Sequence, residues 1–151
     1  MQRVGISILT ILLLALFPAV SVRATDTAFT DIAVKFASAH SPNLVVMFHE
    51  VGRGDTTNYQ ATANATAVYA CLHDGSATVT GSISVPFSFS NKGQGTESVT
   101  LQPPPLDQPI CSVSLGPVNL VSVTYTNVMV TDTTNNVQSP VLPGPFQFPA
   151  P

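Results

Sequence analysis

Two cysteines, three histidines and eight carboxylates are the side chains of this sequence best equipped to react, ligate or titrate. Cys71 and Cys111 are either one disulfide or two thiols, and their spacing to His40, His49 and His73 matches no zinc pattern. His49 stands beside Glu50 and His73 beside Asp74. Sequence neighbours on a strand point to opposite faces, so His49 and Glu50 are not a natural pair. No serine occupies a Gly-x-Ser-x-Gly elbow. The carboxylates are dispersed, so any acid–base pair would have to be assembled by the fold. No catalytic set emerges, and the chain reads as non-catalytic, with a hydrolase as the third-ranked possibility.

Two features point instead to binding or modification. Asp-Thr-Thr-Asn occurs at Asp55–Asn58 and again at Asp132–Asn135. Should the two loops meet at one end of the fold, Asp55, Asp132 and neighbouring carbonyls would offer the oxygen ligands that Ca²⁺ takes. The competing explanation is that Asp and Asn open turns by bonding their own backbone. Asn64-Ala65-Thr66 is an N-glycosylation sequon, relevant in a eukaryotic host.

The first residues place this chemistry in a compartment. Arg3 precedes an apolar run from Ile6 to Phe17, Pro18 ends it, and Val22-Arg23-Ala24 has the small-x-small form of a cleavage site. Residues 1–24 therefore read as a secretory signal peptide, with cleavage after Ser21 as the other option. The apolar run is shorter than the roughly 20 residues that span a bilayer, and no membrane insertion of the mature chain is expected. Loss of Arg3 and Arg23 leaves Lys35, Arg53 and Lys92 against eight carboxylates. Phosphate backbones need clustered cations, so nucleic acid is excluded as a partner. An unknown extracellular protein or glycan remains. In a secreted chain the two cysteines default to a disulfide. It would close a loop of about 40 residues and stabilise by roughly 3–4 kcal/mol.

The elements that would position these groups follow from periodicity. In "ATANATAVYACLHDG" the alanines fall on every second residue, and Thr, Asn and Val between them are poor helix formers. The stretch predicts a strand with Tyr59, Ala61, Ala63, Ala65, Ala67, Tyr69 and Cys71 inward and Asn64 outward. "GSISVPFSFS" turns Ile83, Val85, Phe87 and Phe89 to one side. Large residues there and small ones on the alanine strand predict two sheets face to face, with Pro86 marking an edge strand. "NLVVMFHEVG" predicts a strand in hairpin with the alanine strand across "GRGDTTN". "NKGQG" predicts a hairpin turn before a strand with Val99 and Leu101 inward. Val113 and Leu115 place Cys111 on an inward face too. In "NLVSVTYTNVMVTD", Val121, Val123 and Tyr125 share a face with a bulge near Asn127, after which Val128 and Val130 take over. Residues 29–38 fit either period, and β-branched content favours a strand. The Pro-rich loop at 102–109 predicts an exposed extended link, and the Pro-rich C-terminal end predicts a last edge strand at Phe146 and Phe148. The expected fold is all-β: residues 25–151 as a single immunoglobulin-like β-sandwich of about seven strands with one inter-sheet disulfide.

The order "VMFHEVGRG…YQATANATAVYACLHDG", a cysteine after a Pro-rich stretch, "VSVTYTNVMVTDTTN" and "PGPFQF" resembles a group of small secreted β-sandwich proteins of bacteria and fungi. The resemblance spans about Val45 to Phe148. It implies a structural framework and no assigned activity, so it carries no functional residues.

Overall fold

The computed structural model describes residues 27–52, 54–71, 75–90, 96–107 and 117–149. The segment read as a signal peptide, His73 and Cys111 lie outside them. Among the described residues no helix is long and apolar enough to cross a membrane.

Alternating and β-branched sequence yields eight strands there: β1 (Ala28–Ser38), β2 (Ser41–Val51), β3 (Thr57–Cys71), β4 (Ser76–Phe89), β5 (Glu97–Leu101), β6 (Val118–Asp132), β7 (Val137–Gln138) and β8 (Phe146–Phe148). They make two antiparallel sheets, one ordered β1-β2-β5 and the other β4-β3-β6-β7, with β8 also on β6. β7, a bridge between Val128 and Leu142, and β8 pair successively along β6. They form one interrupted edge course, broken where Pro140, Pro143 and Pro145 cannot donate to the ladder. Within it, a Cβ on Gly144 (φ 78°) would lie 2.7 Å from the Tyr125 carbonyl oxygen, so only glycine fits.

The alanine strand is extended over its whole predicted length, with Tyr59, Ala61, Ala63, Ala65 and Ala67 buried. Its partners differ from the predicted ones in two respects. The 43–52 run does not form a hairpin with it: β2 belongs to the three-stranded sheet, and the Gly-rich segment between β2 and β3 carries the chain across the sandwich. Nor does "GSISVPFSFS" lie opposite the alanines. β4 pairs alongside β3 from Thr57↔Phe89 to Ala70↔Ser76, as the edge strand that Pro86 indicated. The bulk that fills the space over the alanine row comes instead from Leu44, Val46, Phe48, Val99 and Leu101, in one buried cluster with Val123, Tyr125, Val128 and Val130. Small side chains in the middle strand and large ones on the facing sheet keep the interior filled.

Alternation fixes which face a residue takes but not which strand lies beside it. β4 and β5 belong to different sheets, so they are not a hairpin; the turn residues 91–95 lie outside the described set. The bulge at Asn127 is present: Thr62 pairs with Met129 and Asn64 with Thr126, leaving two residues of β6 against Ala63. A second register shift, between Val68 and Tyr69, turns Leu120 toward the core and leaves Val121 50 % exposed, not inward. The proline link is only partly exposed, because Pro104 is buried and its carbonyl accepts the Tyr69 hydroxyl at 2.7 Å.

Candidate recognition face

The outward residues of β3 read Asn58, Gln60, Thr62, Asn64, Thr66, Val68 and Ala70; those of β4 read Ser76, Thr78, Thr80, Ser82, Ser84, Pro86 and Ser88. Register places them in rows that continue onto β6. Ser84, Thr62 and Met129 form one row, Ser82, Asn64 and Thr126 the next, and Thr80, Thr66 and Thr124 the third, extended by Gln147 of β8. No Asp, Glu, Lys or Arg stands on the outward register of β3, β4 or β6. The opposite outer face of the molecule differs, with Asp31 in register with His49 and Lys35 with Val45.

The hydroxyl and amide groups are partly tied to one another. Gln60 Nε2 donates to Ser84 Oγ at 2.7 Å, and Ser88 Oγ donates to Asn58 Oδ1 at 2.7 Å. Ser82 Oγ donates to Asn64 Oδ1 at 3.1 Å, and the Thr66 and Thr80 hydroxyls are 3.2 Å apart. These bonds hold neighbouring side chains in one plane of donors and acceptors, leaving their other lone pairs and N–H groups to solvent. A depression of about 380 Å³, lined in part by Asn58, Gln60, Pro86, Ser88 and Thr133, marks one end of the face. Asn64, the sequon residue, is exposed near its centre.

The two Asp-Thr-Thr-Asn segments do meet. Thr133 donates through both its backbone N–H (2.8 Å) and its hydroxyl (3.0 Å) to the Asn58 carbonyl, and the Asn58 N–H donates to Thr134 Oγ1 at 2.9 Å. Asp132 is buried. Its Oδ1 accepts the Thr134 and Asn135 N–H groups and its Oδ2 accepts Asn135 Nδ2, the arrangement of a side-chain-closed turn. Asp55 is exposed. Among the described residues no group of three or more His, Cys, Asp or Glu side chains is placed to hold a metal.

Periodicity also missed a buried carboxylate. Glu50 is 1 % exposed and accepts the Tyr59 hydroxyl at 2.6 Å. Beside it Phe48, Tyr59, Phe87 and Phe89 form an aromatic cluster, with the Tyr59 and Phe87 rings stacked at 5.3 Å. An acidic residue on the inward parity of an apolar strand was the available signal. His49 and Glu50 lie on opposite faces of β2, as alternation requires, and His40 sits in the exposed turn after β1. Two further phenols join the layers. Tyr125 donates to the Pro42 carbonyl at 3.0 Å, and burial, followed by the nearby Tyr69 phenol, raises its pKa. Burial raises that of Tyr69 as well. No free cysteine occurs among the described residues, and Cys71 is half-buried at the end of β3.

The fold and face define a two-sheet all-β protein, and comparison with protein families, curated proteins and solved structures returns no match.

Proposed function

We propose that this protein is a non-catalytic recognition module acting outside the cell, and that its binding surface is the uncharged outer face of the β4-β3-β6 sheet. The observation that carries this is the set of in-register rows, mostly Ser, Thr, Asn and Gln with Met129 in one, without one charged side chain. Exposed sheet faces ordinarily carry mixed charges for solubility. A face that forgoes them presents neutral donors and acceptors to an uncharged, polar partner, a protein or glycan of the extracellular surroundings. Its aromatic rings all point inward, so contact rests on hydrogen bonds and shape and not on ring stacking.

The same proposal takes the fold as immunoglobulin-like. The first, second and fifth strands share one sheet and the third and sixth pair in the other, a division common to such sandwiches, while the fourth strand lies beside the third. It takes residues 1–24 as a secretion signal and Cys71–Cys111 as a disulfide. In support of the bridge, Cys71 pairs with Val118, and Cys111 precedes Val118 by only seven residues. The reading keeps the resemblance to the small secreted β-sandwich proteins, whose motifs fall here at Phe48, Glu50 and Tyr59 in the core and at the turn that Asp132 closes. Calcium at the Asp-Thr-Thr-Asn corner is the less favoured alternative, because the Asp132 oxygens already accept hydrogen bonds from their own loop.

The test uses the mature protein, fluorescently labelled, on material from its native surroundings. Thr62→Lys/Thr126→Lys places two charges in the middle of the face at solvent-facing positions. Binding is expected to fall at least tenfold, while Lys35→Thr on the other sheet leaves it unchanged. Equal binding by all three proteins would remove the face from consideration.

A further inference from the structure

Every sheet edge is a row of unpaired backbone groups, and soluble proteins guard such rows with charge, proline, brevity or bulges. Among the described residues, three of the four edges are guarded. β1 carries Asp31 and Lys35 and two register shifts against β2. β5 is five residues long and leads into Pro103, Pro104 and Pro105. The β7–β8 course is broken by Pro140, Pro143 and Pro145. β4 is different. It runs for 14 residues, pairs with β3 without a register shift, and contains no charged residue. Its single proline, Pro86, lies near one end, so Ser76–Val85 is an uninterrupted stretch with every N–H present.

We propose that β4 is the interface for a second copy of this chain, paired antiparallel through a two-fold axis at Gly81. The sequence is self-complementary about that residue. On the inner face, Val79 meets Ile83 of the second copy and Ala77 meets Val85. On the outer face, Thr80 meets Ser82 and Thr78 meets Ser84. Apolar therefore faces apolar and hydroxyl faces hydroxyl along the whole ladder, the pairings that stabilise adjacent antiparallel strands. Pro86 falls opposite Ser76, at the end of the ladder, where its missing N–H costs least. A Cβ built on Gly81 touches nothing within 4 Å, so no neighbouring group crowds the sheet face at the centre of the ladder. A cleft of about 470 Å³ separates Ser82, Ile83 and Val85 from Gln102 and the three prolines, so residues 102–105 do not close over the edge. Pairing would also shield Val79, Ile83 and Val85, which one chain leaves half-exposed. Because the opposite edge of the sheet is blocked by proline, association stops at two chains and does not propagate into a filament. The uncharged face then runs continuously across both copies.

Sedimentation of the mature protein tests this independently of any binding partner. The wild-type chain is expected at twice the mass of a single chain. Thr80→Lys/Ser82→Lys sets lysines against lysines across the axis while both side chains point to solvent, so it is expected to sediment as a monomer with an unchanged circular dichroism spectrum. Thr126→Lys, on the same face but away from the edge, is expected to remain dimeric. A monomeric wild type, a dimeric lysine pair, or larger open-ended assemblies would each overturn the proposal.

Discussion

Tyr59 and Tyr125 show how single polar atoms are built into a methyl-lined interior. Each brings a large ring to the core and spends its hydroxyl on an acceptor at the other layer's end, Glu50 for Tyr59 and the Pro42 carbonyl for Tyr125. A hydroxyl left unpaired there would carry its full desolvation penalty, about 1–3 kcal/mol. Tyr125 and Tyr69 have pKa values raised above the ordinary 10.0 by burial, and Tyr125 also by Tyr69. A folded-state value above the unfolded one means that the native state holds the proton more tightly. The stabilisation is present at neutral pH and is lost as pH rises past about 10, toward the higher folded values. The melting temperature is therefore expected to be level around neutrality and to fall above that point, with a shallower fall in Tyr125→Phe. Ionisation of Tyr69 and Tyr125 at the ordinary value, seen in the phenolate absorbance of an intact fold, would contradict this.

At the scale of elements, the bulge in β6 decides which residues face the core. Asn127 adopts φ 52°, and its N–H donates to the Pro143 carbonyl at 3.1 Å. The extra residue returns Val128 and Val130 to the inner face after Tyr125. Asparagine tolerates this left-handed conformation and a β-branched residue does not, so Asn127→Val is expected to lower stability by about 1–2 kcal/mol and Asn127→Gly to leave it near the parent's. Urea unfolding measures both, and equal midpoints for the valine and parent proteins would contradict the role of the bulge. This bulge was legible in the sequence because the apolar parity changes at Asn127. So were the alanine strand, the edge position of β4 and the inward turn of Val99 and Leu101. Strand partners were not. Alternation is the same whether a strand's neighbour follows it in sequence or crosses from another part of the chain, and both mispredicted hairpins placed side by side strands that lie in opposite sheets. The second register shift, at Val121, left no mark because Leu120 and Val121 are both apolar. The uncharged face was visible only as a list of outward Ser, Thr, Asn and Gln residues; the register that aligns them into rows comes from the fold.

For the whole molecule, charge is distributed with a bias that composition alone does not reveal. Among the described residues, Asp31 and Lys35 stand on the outer face of the three-stranded sheet, while the outward register of β3, β4 and β6 is neutral. Coulomb attraction between charged partners weakens as salt shortens the Debye length, whereas hydrogen bonding between neutral groups is little affected. The two sheet exteriors therefore predict opposite responses. The most direct test is to titrate sodium chloride against binding of the labelled mature protein to its native extracellular material. Recognition through the neutral face predicts an affinity that changes less than about twofold from low salt to several times physiological ionic strength. An affinity that collapses over the same range would place binding on the charged surface and contradict the account.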